Sequence, residues 1–374
     1  MPRFVMVFLV LLLVLRGNLS AMTIDSNESP QPEIAPEKAI VSHIALLLPL
    51  ESAAFAEAAN MVKEGFVAAM QRGQSLPLSV HLYSTTDDSL DIWIGYHQAV
   101  SSGAVFVVGP LTRDGVSAIA SSKSLIVPTL TLNTADNSSN LALPPKLYFF
   151  GLQTDTEADQ IAQWASTRGG GRALVIGDDG ALSKRLQNAF AQRWQSEVGN
   201  TAESLRYSDN PMSLQQLRNL TEGGHQAIFL ALDAAKSRVV RAYLDPEALV
   251  YGTSQLFTGS ENFLLNSDLN GIQFLDMPWL LQPDHPAVMA YRHNSKARNT
   301  EMERLYALGI DAFRLMANLL LPQPVNAITL DGVTGNIRFV LPNQFVRELI
   351  PAQFEEGKVK LLRVSNDLSE HERP

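Results

Sequence analysis

The sequence predicts an α/β protein of two lobes, each built on a parallel sheet with helices on both faces. Short apolar runs alternate with amphipathic stretches of roughly 10–20 residues, which is the rhythm of strand–helix–strand units. About four such strands precede Phe149, and about four more fall between Arg172 and Asp276. The 374 residues are also enough for two domains of ordinary size.

The first lobe is predicted from four apolar runs, of which the first is continuous in the manner of a strand buried on both faces. The predicted strands are His43–Leu50, Pro77–Leu82, Ala104–Val108 and Leu125–Leu130. Between them, apolar residues recur at steps of three and four, which predicts helices. Asp88 is placed to cap one of these helices, whose inner face is expected to carry apolar residues and one histidine. These residues are Leu90, Trp93, Ile94, His97 and Val100.

The second lobe continues the alternation and ends differently. Its predicted strands are Ala173–Ile176, Gln226–Leu232, Leu249–Tyr251 and Ile272–Leu275. Capping boxes, Thr154 with Glu157 and Thr300 with Glu303, predict the starts of two helices. Near the end, two strand-like runs flank a turn that contains Asp-Gly, which predicts a hairpin. The two runs are Ala327–Leu330 and Asn336–Val340.

The N-terminal residues have the pattern of an export signal. Phe4 to Leu15 are 12 consecutive apolar residues that follow Arg3, and about 20 would be needed to span a bilayer. Residues 1–21 therefore predict a signal peptide cleaved after Ala21, with an uncleaved anchor as the alternative. Residues 22–40, rich in proline and acids, predict a flexible tether. We expect a periplasmic protein without a cysteine-linked lipid, since the sequence has no cysteine.

Composition and motifs argue against several classes of function. The 29 Lys and Arg against 38 Asp and Glu give a net charge of -9, which suits nucleic-acid binding poorly. Zero cysteines exclude disulfides, thiolate zinc sites and thiol catalysis. The sequence contains no Gly-x-Ser-x-Gly elbow, no His-Glu-x-x-His and no P-loop. We therefore expect no enzyme, no cofactor and no metal site.

A ligand cleft is predicted at the carboxyl ends of the strands, where open parallel sheets bind their ligands and helix N-termini present amide hydrogens. Four polar residues follow predicted strand ends, namely Ser52, Thr112, Asn133 and Asp178. The helix starts favour anionic groups and Asp178 favours an amine, so a small zwitterion or a peptide would fit both. The alternative is that these loops are ordinary turns, with Asp178 and Asp179 as helix-capping residues.

Several motifs occur in the order found in one known family. They are Ile44–Leu50, Val107–Leu111, Val127–Asn133, Phe149–Leu152, Gly271–Trp279 and Leu305–Phe313. Together they resemble the LppC/LpoA family of penicillin-binding-protein activators, over about residues 42–355. The resemblance implies a type I periplasmic-binding-protein fold, whose lobes are joined by three crossings.

The strand count and the C-terminal hairpin predict the domain boundaries, and the resemblance implies a function. The first lobe is expected at residues 41–150 with a return segment at 284–324, and the second at 155–275 with a C-terminal segment at 327–370. Members of the family regulate peptidoglycan synthesis by contacting a bifunctional penicillin-binding protein, without catalysis of their own. The alternative function is a periplasmic binding protein that closes its cleft on a small, amino-acid-like ligand.

Overall fold

The computed structural model describes residues 41–73, 76–122, 125–135, 143–221, 224–259, 262–292 and 299–363. The predicted signal peptide (1–21) and tether (22–40) lie outside the described residues, as do residues 364–370 of the predicted C-terminal segment. Within the described ranges, the helices are all too short or too polar to cross a membrane.

Strands and helices alternate along most of the described chain. The strands are β1 (His43–Leu48), β2 (Ser79–Ser84), β3 (Ala104–Val108), β4 (Thr129–Thr131), β5 (Leu147–Phe149), β6 (Arg172–Gly177), β7 (Thr201–Arg206), β8 (Ala227–Ala231), β9 (Val250–Gly252), β10 (Gln273–Asp276), β11 (Thr329–Asp331), β12 (Asn336–Val340), β13 (Gln344–Glu348), β14 (Ile350–Glu355) and β15 (Lys358–Leu361). The helices are α1 (Ala56–Arg72), α2 (Ser89–Ser101), α3 (Arg113–Ala120), α4 (Thr154–Ser166), α5 (Ala181–Gln195), α6 (Pro211–Thr221), α7 (Ala234–Arg241), α8 (Phe263–Ser267), α9 (Pro278–Leu281), α10 (Pro286–Tyr291) and α11 (Thr300–Leu319).

The strands form two sheets, one for each lobe. In the described residues the first sheet has eight strands, in the order β11-β12-β13-β5-β4-β3-β1-β2, and the second has seven, in the order β15-β14-β10-β9-β8-β6-β7. Strands β1 to β5 pair in parallel, as do β6 to β10, while the late strands add antiparallel pairs. The predicted fold class, an α/β fold of two lobes, is confirmed.

The last strands divide between the lobes, which corrects one predicted boundary. The segment 327–370 was expected in the second lobe, but β11, β12 and β13 join the first sheet. Only β14 and β15 extend the second sheet. The reason is the apolar face of the hairpin, since Ile337 and Phe345 are fully buried in the core that lies against β1 and β4. Gln344 of β13 then pairs with Phe149 of β5.

Helix α11 brings the chain back to the first lobe, where it lies along α1. Two glycines allow the backbones to come close, because a Cβ on Gly65 would stand 1.9 Å from the carbonyl oxygen of Tyr306. A Cβ on Gly309 would stand 2.0 Å from the carbonyl oxygen of Val62. Further along the same contact, the rings of Phe66 and Phe313 pack edge to face at 5.2 Å.

Helix α2 forms where it was predicted and is capped by Asp88, but its fully buried stripe is not the predicted one. Of the predicted inner residues, Trp93 and Val100 are half-buried and contact the core. The predicted inner residues Leu90 and Ile94 are 65% and 54% exposed, and His97 is exposed as well. The buried stripe consists of Ile92, Gly95, Tyr96 and Ala99. Both stripes are largely apolar, and periodicity alone does not tell which one meets the sheet.

Candidate ligand cleft and interlobe hinge

Ser52 and Thr112 lie just after the carboxyl ends of β1 and β3, where the sequence placed them; Ser52 stabilises the turn before α1, and Thr112 caps α3. The hydroxyl of Ser52 accepts hydrogen bonds from the backbone N–H groups of Ala54 (3.2 Å) and Phe55 (3.1 Å). Thr112 is the N-cap of α3 and accepts from the N–H of Gly115 at 3.3 Å. Both side chains are buried. Their hydroxyls are therefore engaged by the chain itself.

Asn133 follows β4 and joins two loops of the first lobe. Its Nδ2 donates to the carbonyl oxygen of Leu111 at 3.1 Å, and its Oδ1 accepts from the N–H of Thr134 at 3.0 Å. The structure thus brings the loops after β3 and β4 together, as the predicted cleft requires. Each atom of the Asn133 amide thus makes one bond to the backbone, and the amide still has a second N–H and a second acceptor site.

Asp178 follows β6 in the second lobe and already binds an amine. Its carboxylate lies 2.5 Å from the ammonium of Lys236 and accepts from the N–H of Gly180 at 2.9 Å. The hydrogen bond from Lys236 holds the pKa of Asp178 below its usual range, and the same contact raises the pKa of Lys236. Asp179 pairs with Lys184 at 3.9 Å. The carboxylate of Asp178 therefore supports the turn before α5, whose N-cap is Gly180.

A concave space lies elsewhere, between the starts of α4 and α11 and the 3-10 turn after β9. This cavity, called the hinge cavity here, has a volume of about 470 Å³. Its lining includes Thr154, Glu157, Ser254, Phe257, Thr300 and Arg304. None of the four predicted cleft residues lines it. Sequence reasoning missed it because three distant segments of the chain contribute its walls.

Arg347 is the centre of a buried cluster behind this cavity. The chain passes between the two sheets after β5, after β10 and between β13 and β14. Arg347, only 5% exposed, lies on the third of these crossings. It donates from Nε to the carbonyl oxygen of Gly151 on the first crossing (3.1 Å) and from Nη1 to that of Thr334 (3.3 Å). One guanidinium therefore ties two crossings together.

Arg304 and Asp276 form a second tie between the lobes. Arg304 belongs to α11, which lies on the first lobe, and Asp276 ends β10 in the second sheet. Nη2 of Arg304 is 2.6 Å from Oδ2 of Asp276, and Nε is 3.3 Å from Oδ1. Nη2 also donates to the carbonyl oxygens of Ser254 and Phe257, at 2.9 and 3.1 Å. The pair is buried, so its geometry resists relative movement of the lobes.

Glu157 completes the cluster, and its role differs from the predicted one. The N-cap of α4 is Gln153, which makes no side-chain capping bond, so the predicted capping box of Thr154 and Glu157 is wrong. Glu157 instead accepts from the N–H and hydroxyl of Ser254 at 3.2 and 2.8 Å and lies 3.6 Å from Arg347. Burial raises the pKa of Glu157, and the charge of Arg347 offsets part of that rise. Glu157 belongs to the ion cluster because it is buried, and a single sequence does not show that burial.

A separate ion bridge joins the lobes at the mouth of the cleft. Oδ2 of Asp155, at the start of α4, is 3.3 Å from Arg113 of α3 in the first lobe. Oδ1 of the same carboxylate is 3.3 Å from Arg185 of α5 in the second lobe. All three side chains are partly exposed, at 29–42% of their surface. This mouth bridge is therefore accessible to water and salt.

The buried ion cluster as a whole is suited to holding the two lobes in a fixed relative orientation. Arg304, Glu157, Asp276 and Arg347, which line or back the hinge cavity, bind one another and nearby backbone groups. Within the described residues, the histidine, aspartate and glutamate side chains form no cluster of three or more that could hold a metal ion. What the cavity offers a ligand is a concave surface of hydroxyl, carboxylate and aromatic groups.

Two largely parallel sheets, three crossings and a cleft at the strand ends place the molecule in the class of two-lobed, periplasmic-binding-protein-like folds. A family model described as "LppC putative lipoprotein" matches residues 34–357, and the chain belongs to this LppC family. The family resemblance seen in the sequence motifs is thereby confirmed.

Curated relatives in this family are penicillin-binding protein activators named LpoA. The LpoA of Haemophilus influenzae is 27% identical over 330 residues, covering 85% of this chain and 55% of the relative. The LpoA of Photobacterium profundum is 24% identical over 337 residues, covering 80% of this chain and 54% of the relative. This chain thus spans about half the length of the curated relatives it matches.

Solved structures show the same fold. The C-domain of Haemophilus influenzae LpoA, described as a regulator of PBP1A, matches with a TM-score of 0.73 at 24% identity, over 86% of this chain and all of that domain. A Chromobacterium violaceum structure described as a putative branched-chain amino acid ABC transporter matches with a TM-score of 0.71 at 36% identity. It covers 84% of this chain and 99% of that one.

Proposed function

We propose that the protein is a non-enzymatic activator of a bifunctional penicillin-binding protein and stimulates peptidoglycan synthesis through protein contact. Membership of the LppC family supports this, as does the full coverage of the LpoA C-domain. The main observation behind this proposal is that the polar side chains of the predicted cleft are already bonded within the chain. Ser52, Thr112, Asn133 and Asp178 all have partners within the chain, which suits a scaffold better than a receptor.

An assay of reconstituted synthesis tests this function directly. The purified chain is added to the bifunctional penicillin-binding protein of the same organism, and glycan polymerisation and peptide cross-linking are followed separately. We expect one of the two rates to rise with a saturable dependence on the added chain. Heat-unfolded chain at equal concentration is the control. Two unchanged rates would refute the activator function.

The second candidate function is the binding of a small zwitterion or peptide. The Chromobacterium violaceum structure favours it through its description and its 36% identity, and the hinge cavity of about 470 Å³ is large enough for an amino acid. Calorimetric titration with amino acids and muropeptides tests it. If the predicted cleft is the site, replacing Thr112 or Asn133 by alanine should weaken binding by about 1–3 kcal/mol. A titration without heat would leave the activator as the better proposal.

Export to the periplasm is part of the proposal. Its support is the apolar run from Phe4 to Leu15 and the small residue Ala21. Intact-mass measurement of the protein recovered from the periplasmic fraction should show a chain shortened by about 21 residues. Recovery of a chain that retains Met1 in the membrane fraction would favour the uncleaved anchor.

A further inference from the structure

Helix α2 is apolar on both sides, although only one side meets the sheet. Its inner stripe is buried against β1 and β3. Its outer stripe, called the α2 ridge here, consists of the exposed residues Leu90, Ile94 and His97 and of Trp93, which is half-buried and also packs against the core. At about 100° per residue these four lie within one third of the helix circumference, opposite the inner stripe. A helix that is apolar all round is normally buried on all sides.

The corresponding unit of the second lobe shows that an apolar outer face is not required by the fold. Strands β6, β7 and β8 have the same connection and order as β1, β2 and β3, so α6 corresponds to α2. The buried residues of α6 are Leu214 and Leu217. Its exposed residues include the amides Gln215, Gln216 and Asn219, together with two apolar side chains, Met212 and Leu220. The same position in the fold is thus more polar in the second lobe than in the first.

The charges on helix α2 and in the residues just before it are few and of one sign. Helix α2 contains no Lys or Arg, and its one carboxylate, Asp91, accepts from the N–H and hydroxyl of Thr86 at 2.7 and 2.8 Å. Asp87 and Asp88 are exposed just before the helix. A complementary surface would therefore be an apolar groove with basic side chains at the end that receives the start of α2.

The size of the ridge indicates what kind of contact it makes. Four side chains on one helix cover only part of the roughly 800 Å² that each partner buries in a stable interface. That area favours a reversible contact with a different protein over a stable dimer of this chain. The ridge is also large enough to supply the few residues that carry most of the binding free energy in such a contact, and Trp93 is of a type that is common among them.

We propose that the α2 ridge docks into an apolar, basic-rimmed groove on the penicillin-binding protein. This rests on the proposed function and assigns that function to one face of the first lobe. Leu90 and Ile94 insert into the groove, Trp93 and His97 flank them, and Asp87 meets the basic rim. The hinge holds this face in a fixed orientation relative to the second lobe.

Binding measurements with matched variants test the docking surface. The probe is the purified bifunctional penicillin-binding protein of the same organism, immobilised for kinetic measurement. The double variant Leu90→Gln, Ile94→Gln should weaken binding by about tenfold or more with an unchanged thermal midpoint, because both side chains are exposed. The control Met212→Gln, 73% exposed on α6, should bind as the parent does. Asp87→Asn should lower the association rate about twofold and reduce its dependence on salt.

Each other result overturns the docking surface in a different way. If the double variant binds as tightly as the parent, the activator contact lies elsewhere and the proposed function stands. If the parent fails to bind, the proposed function falls together with the surface. If sedimentation velocity shows a dimer of the parent that the double variant abolishes, the ridge is covered by a second copy of the chain instead.

Discussion

Two sets of ion pairs join the lobes, and they differ in solvent exposure and in the other groups that they bind. The hinge pairs, built on Arg347 and Arg304, are nearly free of solvent and also bind backbone carbonyl oxygens. The mouth bridge of Arg113, Asp155 and Arg185 is partly exposed. Buried pairs are costly to break because one partner is left as an uncompensated charge, whereas exposed pairs contribute little. The comparison predicts that the hinge pairs hold the lobes together more strongly than the mouth bridge does.

Removal of the central guanidinium should have the largest effect. Arg347→Met leaves Glu157 buried without its counter-charge and frees the carbonyl oxygens of Gly151 and Thr334. We expect a loss of about 3–5 kcal/mol in the free energy of unfolding, measured by urea denaturation. A loss below about 1 kcal/mol, the range of exposed pairs, would remove the distinction between hinge and mouth.

The pH dependence of stability should come from the hinge and be smaller. Asp311 of α11 is buried and accepts hydrogen bonds from the N–H and hydroxyl of Thr334, whose carbonyl oxygen binds Arg347. Burial raises the pKa of both Glu157 and Asp311. Between the unfolded and the folded pKa values, the folded state therefore binds more protons than the unfolded state. Stability contributed by these two carboxyls should therefore fall as pH increases through their raised pKa values. Urea denaturation between pH 4 and pH 8 measures this. Glu157→Gln should flatten the profile, and an unchanged profile would assign the dependence to other groups.

Loss of the mouth bridge should change stability little and lobe separation more. Asp155→Asn removes one carboxylate from two arginines that are each partly exposed. We expect a loss of less than about 1 kcal/mol, together with a larger radius of gyration in small-angle X-ray scattering. High salt should produce the same expansion in the parent, because it screens exposed charges. An unchanged radius in both experiments would show that the bridge does not control closure.

The smallest effect should come from a charge pair that lies within one lobe. Asp178→Asn weakens the contact with Lys236, and both residues belong to the second lobe. Its free energy of unfolding should stay within about 0.5 kcal/mol of the parent, because both side chains are partly exposed. Its radius of gyration should not change, which makes it the matched control for Asp155→Asn. An expansion here would extend the closure mechanism to Asp178.

The sequence predicted the two-lobed fold well where strands are apolar and long. β1 and β3 were found because continuous apolar runs mark buried parallel strands. β5 has three residues and β7 is a half-exposed edge strand with the sequence TAESLR, so neither has a detectable period. The assignment of β11 to β13 to the first sheet depends on long-range packing of Ile337 and Phe345, which no local pattern encodes.

The candidate site was less predictable than the fold. Ser52, Thr112, Asn133 and Asp178 were placed at strand ends from topology, and the structure has them there. Their local partners could not be deduced, because turn geometry decides whether a hydroxyl meets a ligand or a nearby N–H. Glu157 was singled out in the sequence but assigned to a capping box. A glutamate at this spacing from Thr154 looks the same in the sequence whether it caps the helix or lies in a buried ion cluster. The orientation of α2 was wrong because both of its stripes are apolar.

The passage of β13 and β14 from one sheet to the other has a consequence for the synthesis of the protein. In the first sheet β5 pairs with β13, and in the second sheet β10 pairs with β14. Both pairs can form only after residues 344–355 have been synthesised. Those strands are made late, so a chain growing from its N-terminus carries two incomplete sheets with open inner edges until then. Open edges invite pairing with other chains. Premature termination before residue 344 would therefore leave neither lobe complete, and both halves would be exposed to proteases and aggregation together.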